Sequence, residues 1–218
     1  MKHQLGLDGL YTFLEKRNRF VTQQQQKQFS IFVNLLEKWS QKQNLVSKND
    51  IPHLIERHFL PSLFLCDCLP DSIDGQVIDI GTGGGFPGII LKIMRPDLSL
   101  TLLDSSHKKI LFLHEVCEHM EIYCPLVCAR SEIYQHQVHE FYKIAVSRAV
   151  AKLDVLWRWT FHMMSSNSRL YVLKGGNYQQ EIDELNHESC SVDIRLPDRE
   201  WMEFSNYMYN KCVIILEK

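Results

Sequence analysis

The stretch Val77-Ile78-Asp79-Ile80-Gly81-Thr82-Gly83-Gly84-Gly85-Phe86-Pro87-Gly88 constrains this chain more than any other. A short β-rich apolar run enters a glycine loop, and a helix is predicted to follow from Pro87 to about Met94. Glycines let the backbone turn tightly and come close to a ligand. The helix behind them presents unpaired N–H groups and the positive end of its dipole. In open α/β sheets, ligands sit at such carboxyl ends of parallel strands.

The rest of the chain reads as an extension of this unit. Leu98–Leu103 is a second strand, followed by a helix over Ser106–Met120. Pro125–Val127, Lys143–Val146 and Arg169–Leu173 are further strands, with helices at Leu153–Met164 and near Gln179–Leu185. Ser191–Leu196 and Cys212–Leu216 close the chain; no clear helix separates them, so an antiparallel hairpin is expected there. Such alternation implies right-handed βαβ units. The expected fold is α/β and Rossmann-like, with a mainly parallel seven-stranded sheet and helices on both faces.

Before it lies a helical extension. Thr22 can cap a helix running to about Gln43, whose Phe29, Phe32, Val33, Leu36 and Trp39 form one apolar stripe. A second helix is predicted from Asp50, with Pro52 in its first turn and Leu54, Ile55, His58 and Phe59 along it. Residues 5–20 complete this cap. Two units are thus expected, a cap over 1–70 and a ligand-binding domain over 71–218, the break marked by Pro70, Asp71, Asp74 and Gly75.

Glycine loops serve dinucleotides and S-adenosylmethionine alike, so the details decide. The pattern is Gly81-x-Gly83-x-Gly85, and Phe86 stands where a dinucleotide loop places its third glycine. Asp79 lies two residues before the first glycine, where a carboxylate suits the cationic amino-acid end of S-adenosylmethionine and repels a pyrophosphate. Asp104 ends the next strand, where an acid can accept both ribose hydroxyls. The plainer reading is that both acids cap helices or turns. No nucleophile elbow occurs, and no P-loop lysine follows the glycines. His136 and His139 could share a helix face, but a solvated pair is preferred to a metal site.

Net charge is −2, which excludes a wholly basic nucleic-acid binder. The charge is uneven: residues 1–60 hold nine Lys/Arg against five Asp/Glu, a net +4, which leaves −6 for the remainder. A basic cap on an acidic domain can touch phosphates, or it can be a solvated helix face. Seven cysteines with no regular framework fit reduced thiols. No run reaches transmembrane length and the N-terminus lacks a signal-peptide pattern, so a cytoplasmic, monomeric protein without membrane partners is expected.

From about Phe29 to Glu184 the chain resembles the ribosomal RNA small subunit methyltransferase G family, also called glucose-inhibited division protein B. The matching residues are Trp39 with Asn44-Leu45 and Ser47, then Arg57-His58, then the glycine loop from Asp79 to Gly88. Arg95-Pro96, Leu102-Leu103-Asp104-Ser105, Lys108, Lys109, Phe112, Leu113, Ser147-Arg148-Ala149 and Leu173-Lys174-Gly175 complete the set. Departures are Gly84 in place of a common proline, Pro61 in place of Asp, and a C-terminal stretch from Asp198 without the family's basic pattern.

The resemblance implies a class I methyltransferase that uses S-adenosyl-L-methionine, with cofactor contacts at Gly81 and Phe86 and at the dipeptide Ser131-Glu132. Gly83 and Asp104 join them from the loop argument, and Arg148 is a candidate for the cofactor carboxylate or an RNA phosphate. Arg148 and Lys174 are also candidates for holding phosphate or guanine O6, and either could equally be structural. The implied reaction is N7-methylation of a guanine in 16S rRNA, with the RNA or the small ribosomal subunit as partner, no catalytic base and no metal. Rival readings are a methyltransferase for another RNA, a small molecule or a protein, a nucleotide-sugar or NAD enzyme, and an RNA-binding assembly protein without turnover.

Overall fold

The computed structural model describes residues 6–185 and 190–218; residue 5, the expected start of the cap, lies outside them. The chain begins with α1 (Leu7–Lys16) and α2 (Gln23–Ser40). Thr22 caps α2 as expected: its side chain accepts from the Gln25 N–H, and the Gln25 side chain accepts from the Thr22 N–H. The helix expected from Asp50 is less regular. A 3-10 turn (Ile51–His53) passes into a π-helical turn (Ile55–Phe59) and then into α3 (Leu60–Cys68). Asp50 does not cap it; its carboxylate is drawn to Arg57 and His58 instead.

Then come β1 (Gln76–Ile80), α4 (Gly88–Met94), β2 (Ser99–Asp104), α5 (His107–Met120), β3 (Leu126–Cys128), α6 (Ser131–Tyr134) and β4 (Tyr142–Arg148). The chain continues through α7 (Leu153–Phe161), β5 (Met164–Gly175), α8 (Gln179–Asp183), β6 (Ser191–Arg195), α9 (Arg199–Phe204) and β7 (Lys211–Glu217). The seven strands form one sheet in the order β3-β2-β1-β4-β5-β7-β6. β1 to β5 run parallel and β7 is antiparallel to both its neighbours. The strand order reverses between β1 and β4, which opens a crevice at their carboxyl ends.

Alternation along the strands supplies the two faces. Val77, Leu100, Leu102, Ile144 and Val146 belong to one hydrophobic cluster, shared with α1 to α5 and α9. Ile78, Ile80, Leu103, Ala145 and Leu170 face the other way, toward α7 and α8. The helices thus lie on both faces, and the N-terminal ones share a core with the sheet.

Two expectations are corrected. The helix after Leu153 ends at Phe161, because Met164 already pairs with Tyr142 as the first residue of β5. The last two strands do pair antiparallel, but a helix separates them. Asp198 caps α9 by accepting from the Glu200 and Trp201 N–H groups. Trp201 lies edge-on to Phe13 at 5.0 Å, and Phe204 stacks on Phe13 at 4.0 Å. Arg17 bridges to Asp198 and Glu200, so α9 is bound to α1.

The β1–α4 joint is built around a buried acid. Asp79 is 0% exposed and its Oδ2 accepts the Gly88 N–H at 2.9 Å. A Cβ on Gly88 would come within 2.4 Å of Leu102 Cδ2 and 2.6 Å of Asp79 Oδ2, so only glycine lets α4 start this close to the sheet. Burial pushes the Asp79 carboxyl up to about 7, although the Gly88 N–H and the nearby Thr82 hydroxyl favour its ionised form.

This acid makes stability pH-dependent in a definite sense. Between the ordinary carboxylate range and pH 7, the unfolded chain has lost a proton that the folded chain retains. The stability owed to the neutral buried acid is therefore full at low pH and is lost as pH rises through about 7. Asp79→Asn keeps an oxygen for Gly88 but does not titrate. Urea unfolding of both proteins at pH 5 and pH 8 should show the variant gaining on the wild type by on the order of 2 kcal/mol at the higher pH. A difference that is constant with pH would contradict the assignment.

Candidate active site

The crevice holds a cavity of about 450 Å3 whose lining includes Gly81, Gly83, Phe86, Asp104, Ser131, Glu132 and Arg148. All seven sequence-predicted site residues therefore meet in one place, supplied by the loop after β1, the end of β2, the start of α6 and the end of β4. The volume falls within the roughly 300–1,000 Å3 of small-molecule sites.

The loop glycines have different tasks. Gly81, Gly83 and Gly85 all have positive φ, at 69°, 59° and 89°. A Cβ on Gly81 would come within 2.5 Å of Val150, and one on Gly85 within 2.7 Å of Ile89. At Gly83 the nearest atoms would be 3.8 and 3.9 Å away, the second being Lys109 Nζ. Gly81 and Gly85 are therefore packing glycines, and Gly83 is the one whose bare face opens on the cavity.

Asp104 holds the loop from below. It is 7% exposed; its Oδ2 accepts the Gly83 N–H at 2.9 Å and its Oδ1 accepts the Ser106 N–H at 2.8 Å. A carboxylate has about four acceptor positions, so each oxygen keeps one for a ligand donor. Lys109 Nζ stands 3.6 Å from Oδ2 and also lines the cavity. Asp79, in contrast, is not among the lining residues; its Oδ2 holds the first N–H of α4 behind the cavity wall.

Phe86 is only 6% exposed. Its ring lies 5.2 Å from that of Phe32, 5.6 Å from Phe59 and 5.0 Å from His58, so it anchors the loop in the aromatic core of the N-terminal helices. The Arg148 guanidinium sits 5.7 Å above the Phe86 ring centroid. One of its terminal nitrogens donates to His58 Nδ1 at 2.9 Å, and the other donates weakly to the His58 carbonyl at 3.4 Å. Burial lowers the guanidinium's pKa from its ordinary value. Lys174 is occupied elsewhere: its Nζ donates to Glu181 at 2.7 Å and to the Ala151 carbonyl at 3.0 Å. It does not line the cavity.

Several lining residues escaped the sequence reading: His58, Trp159 from α7, and Leu45 and Val46 from the loop after α2. Leu45 and His58 both lay in quoted signatures, and His58 was also placed along the predicted helix. Nothing singled out Trp159. The basic character of the cap is also smaller than its +4 suggests. Arg17 and Arg19 bridge to Asp67 and Lys38 to Glu115, acids outside residues 1–60, whereas Lys42 and Lys48 are exposed. His136 lies in the turn after α6 and His139 in the loop beyond, so they share no helix face. Among the described residues no group of three or more His, Cys, Asp or Glu could hold a metal, and no helix is long and apolar enough to cross a membrane.

Known proteins share both fold and sequence with this chain. An rRNA methylase from Streptococcus thermophilus superposes with a TM-score of 0.51 at 15% identity, over 72% of this chain and 93% of that one. A Streptococcus mutans protein solved in complex with SAH gives 0.50 at 15% identity, over 73% and 96%. These likenesses show the class I methyltransferase fold. The ribosomal RNA small subunit methyltransferase G of Cytophaga hutchinsonii is 35% identical over 190 residues, which cover 84% of this chain and 90% of that protein. The profile of the same family matches residues 25–197, a span that takes in the α2 stripe, the glycine loop, Asp104, Ser131, Glu132, Arg148 and Lys174. With this sheet, this loop and that match, the chain belongs to the rRNA small subunit methyltransferase G family.

Proposed function

We propose that the protein transfers a methyl group from S-adenosylmethionine to N7 of a guanine in 16S rRNA of the small ribosomal subunit. The observation that carries the cofactor assignment is the Asp104–Gly83 pair, a carboxylate and a bare glycine face at the mouth of one cavity. The Streptococcus mutans neighbour was solved with SAH, and the relatives are named for small-subunit rRNA. In this reading Asp104 accepts the ribose hydroxyls, and Gly81, Gly83 and the edge of Phe86 line the amino-acid end. Ser131 and Glu132 border the adenine, and Arg148 faces a carboxylate or the acceptor.

When bound, the cofactor supplies a methyl group on a sulfonium, which is a good leaving group. Transfer forms the N7–methyl bond as the methyl–sulfur bond breaks, and the positive charge passes to the guanine ring. Guanine N7 carries a lone pair and no proton, so no residue of this chain has to remove one. The protein's part is to hold two reactants in line, which alone can account for much of a rate enhancement.

Two measurements test this reading. Asp104→Asn replaces one acceptor oxygen by an NH2 group, so either Gly83 or Ser106 loses its partner and the ribose loses a charged one. Hydrogen bonds to charged groups contribute about 1.5–3 kcal/mol, so calorimetric titration should show S-adenosylmethionine binding at least about tenfold weaker. Unchanged affinity in the folded variant removes Asp104 from the ribose role.

The second is the pH dependence of a single turnover at saturating substrates. With N7 as acceptor the rate should be nearly flat from about pH 6.5 to 8.5, where a base-dependent step would show a rising limb. Asp79 titrates near this window, so the profile is measured in Asp79→Asn as well. A rise of about tenfold per pH unit that persists in the variant would mean an acceptor that must lose a proton, and the N7 assignment would fall.

A further inference from the structure

Arg148 is fixed at both ends by residues far away in the chain. The Ser147 hydroxyl donates to the Ile80 carbonyl at 3.0 Å, which ties the end of β4 to the end of β1. Ala149 then adopts a left-handed φ of 53°, and Val150 packs on Gly81. This bend accounts for Ser147-Arg148-Ala149 as a unit and leaves the Arg148 side chain beside the cavity. The guanidinium is held in turn by a residue 90 positions earlier, His58.

The His58 contacts form a chain. Its Nε2 lies 3.3 Å from Asp50 Oδ2, and the other oxygen of Asp50 pairs with Arg57. A carboxylate can only accept, so Nε2 carries the proton; Nδ1 then has its lone pair free to accept from Arg148. Burial and the Arg148 charge both push the imidazole down to about 4, against the pull of Asp50, so the ring is neutral at working pH. His58 is 7% exposed and packs on Phe86. A protonated or reversed imidazole would turn an N–H toward the guanidinium and expel it.

We propose that His58 is a positioning residue: through the Asp50–His58–Arg148 chain it sets where the Arg148 guanidinium stands against Phe86, and so aims its remaining donors into the cavity. The guanidinium has five N–H donors, and its two hydrogen bonds to His58 leave the others for a ligand. Its partner there is an oxygen acceptor, either a carboxylate or guanine O6. The role rests on the methyl-transfer reading above, and the N-terminal helices thereby supply part of the site.

A double-mutant cycle separates positioning from packing. His58→Phe keeps a ring of similar size and loses the side-chain hydrogen bonds to Asp50 and Arg148; Arg148→Met removes the charge. Single-turnover methylation of rRNA should fall at least about tenfold in His58→Phe, and by less than about twofold when His58→Phe is added to Arg148→Met. His58→Asn, whose oxygen can replace Nδ1, should recover part of the loss. Equal losses in both backgrounds, or no loss in either, overturn the proposal. Nitrogen-15 spectra of His58 give a readout independent of turnover. The ring should stay neutral with its proton on Nε2 from pH 5 to 8, and its pKa should rise in Arg148→Met. A proton on Nδ1, or a pKa indifferent to Arg148, overturns the proposal. Failure of the wild type to methylate RNA at all would sink the functional reading, and the spectra would still decide whether His58 orients Arg148.

Discussion

Two carboxylates beneath one glycine loop hold this structure's working parts in register. Asp79 takes the N–H of Gly88 and Asp104 takes that of Gly83, so the loop between β1 and α4 is fixed at its far end and near its middle. The two acids differ in kind. Asp79 is sealed, raised toward neutrality and structural, whereas Asp104 borders the cavity and retains acceptor positions for a ligand. With the loop fixed, Gly88 lets α4 lie against Leu102, and Gly83 leaves its open face toward the crevice.

The N-terminal helices are joined to this loop by Phe86. Its ring sits among Phe32, Phe59 and His58, so the loop that faces the ligand is also a plug in the core of the helices. Gly84 contributes to the same closeness, since a Cβ there would lie 3.1 Å from the Leu45 carbonyl. The cavity wall is thus shared: the sheet brings the carboxylates and Arg148, and the helices bring Leu45, Val46 and His58. Loss of packing in the helices should reach the cavity directly, because the same residues serve both.

The parts of this arrangement that could be read in the sequence are those encoded locally. β1, its loop and α4 announce themselves by glycines between apolar runs, and Thr22 with Gln25 announces the start of α2. The place of Asp104 at the cavity was legible because it stands at the end of a strand, where such sheets open their crevice. The misses have physical reasons. Asp79 was assigned to a ligand because a sequence does not show which acids are sealed behind a helix. The early residues of β5, Ser165 to Ser168, are polar and fall in the irregular stretch between the Tyr142–Met164 and Ile144–Arg169 pairs, so no apolar alternation marks them. α9 spans six residues, too few for periodicity, although Asp198 and the spacing of Trp201 and Phe204 were available as signals. The His58–Arg148 bond joins residues 90 apart and has no local trace.

The central claim is that this cavity delivers a methyl group to N7 of a guanine in small-subunit rRNA. The most direct measurement is to incubate the protein with methyl-labelled S-adenosylmethionine and either bare 16S rRNA or small ribosomal subunits, then digest the RNA and identify the labelled nucleoside. The account predicts label in 7-methylguanosine at a single site. Label in another nucleoside, in protein or in a small molecule, or no transfer despite cofactor binding, would contradict it.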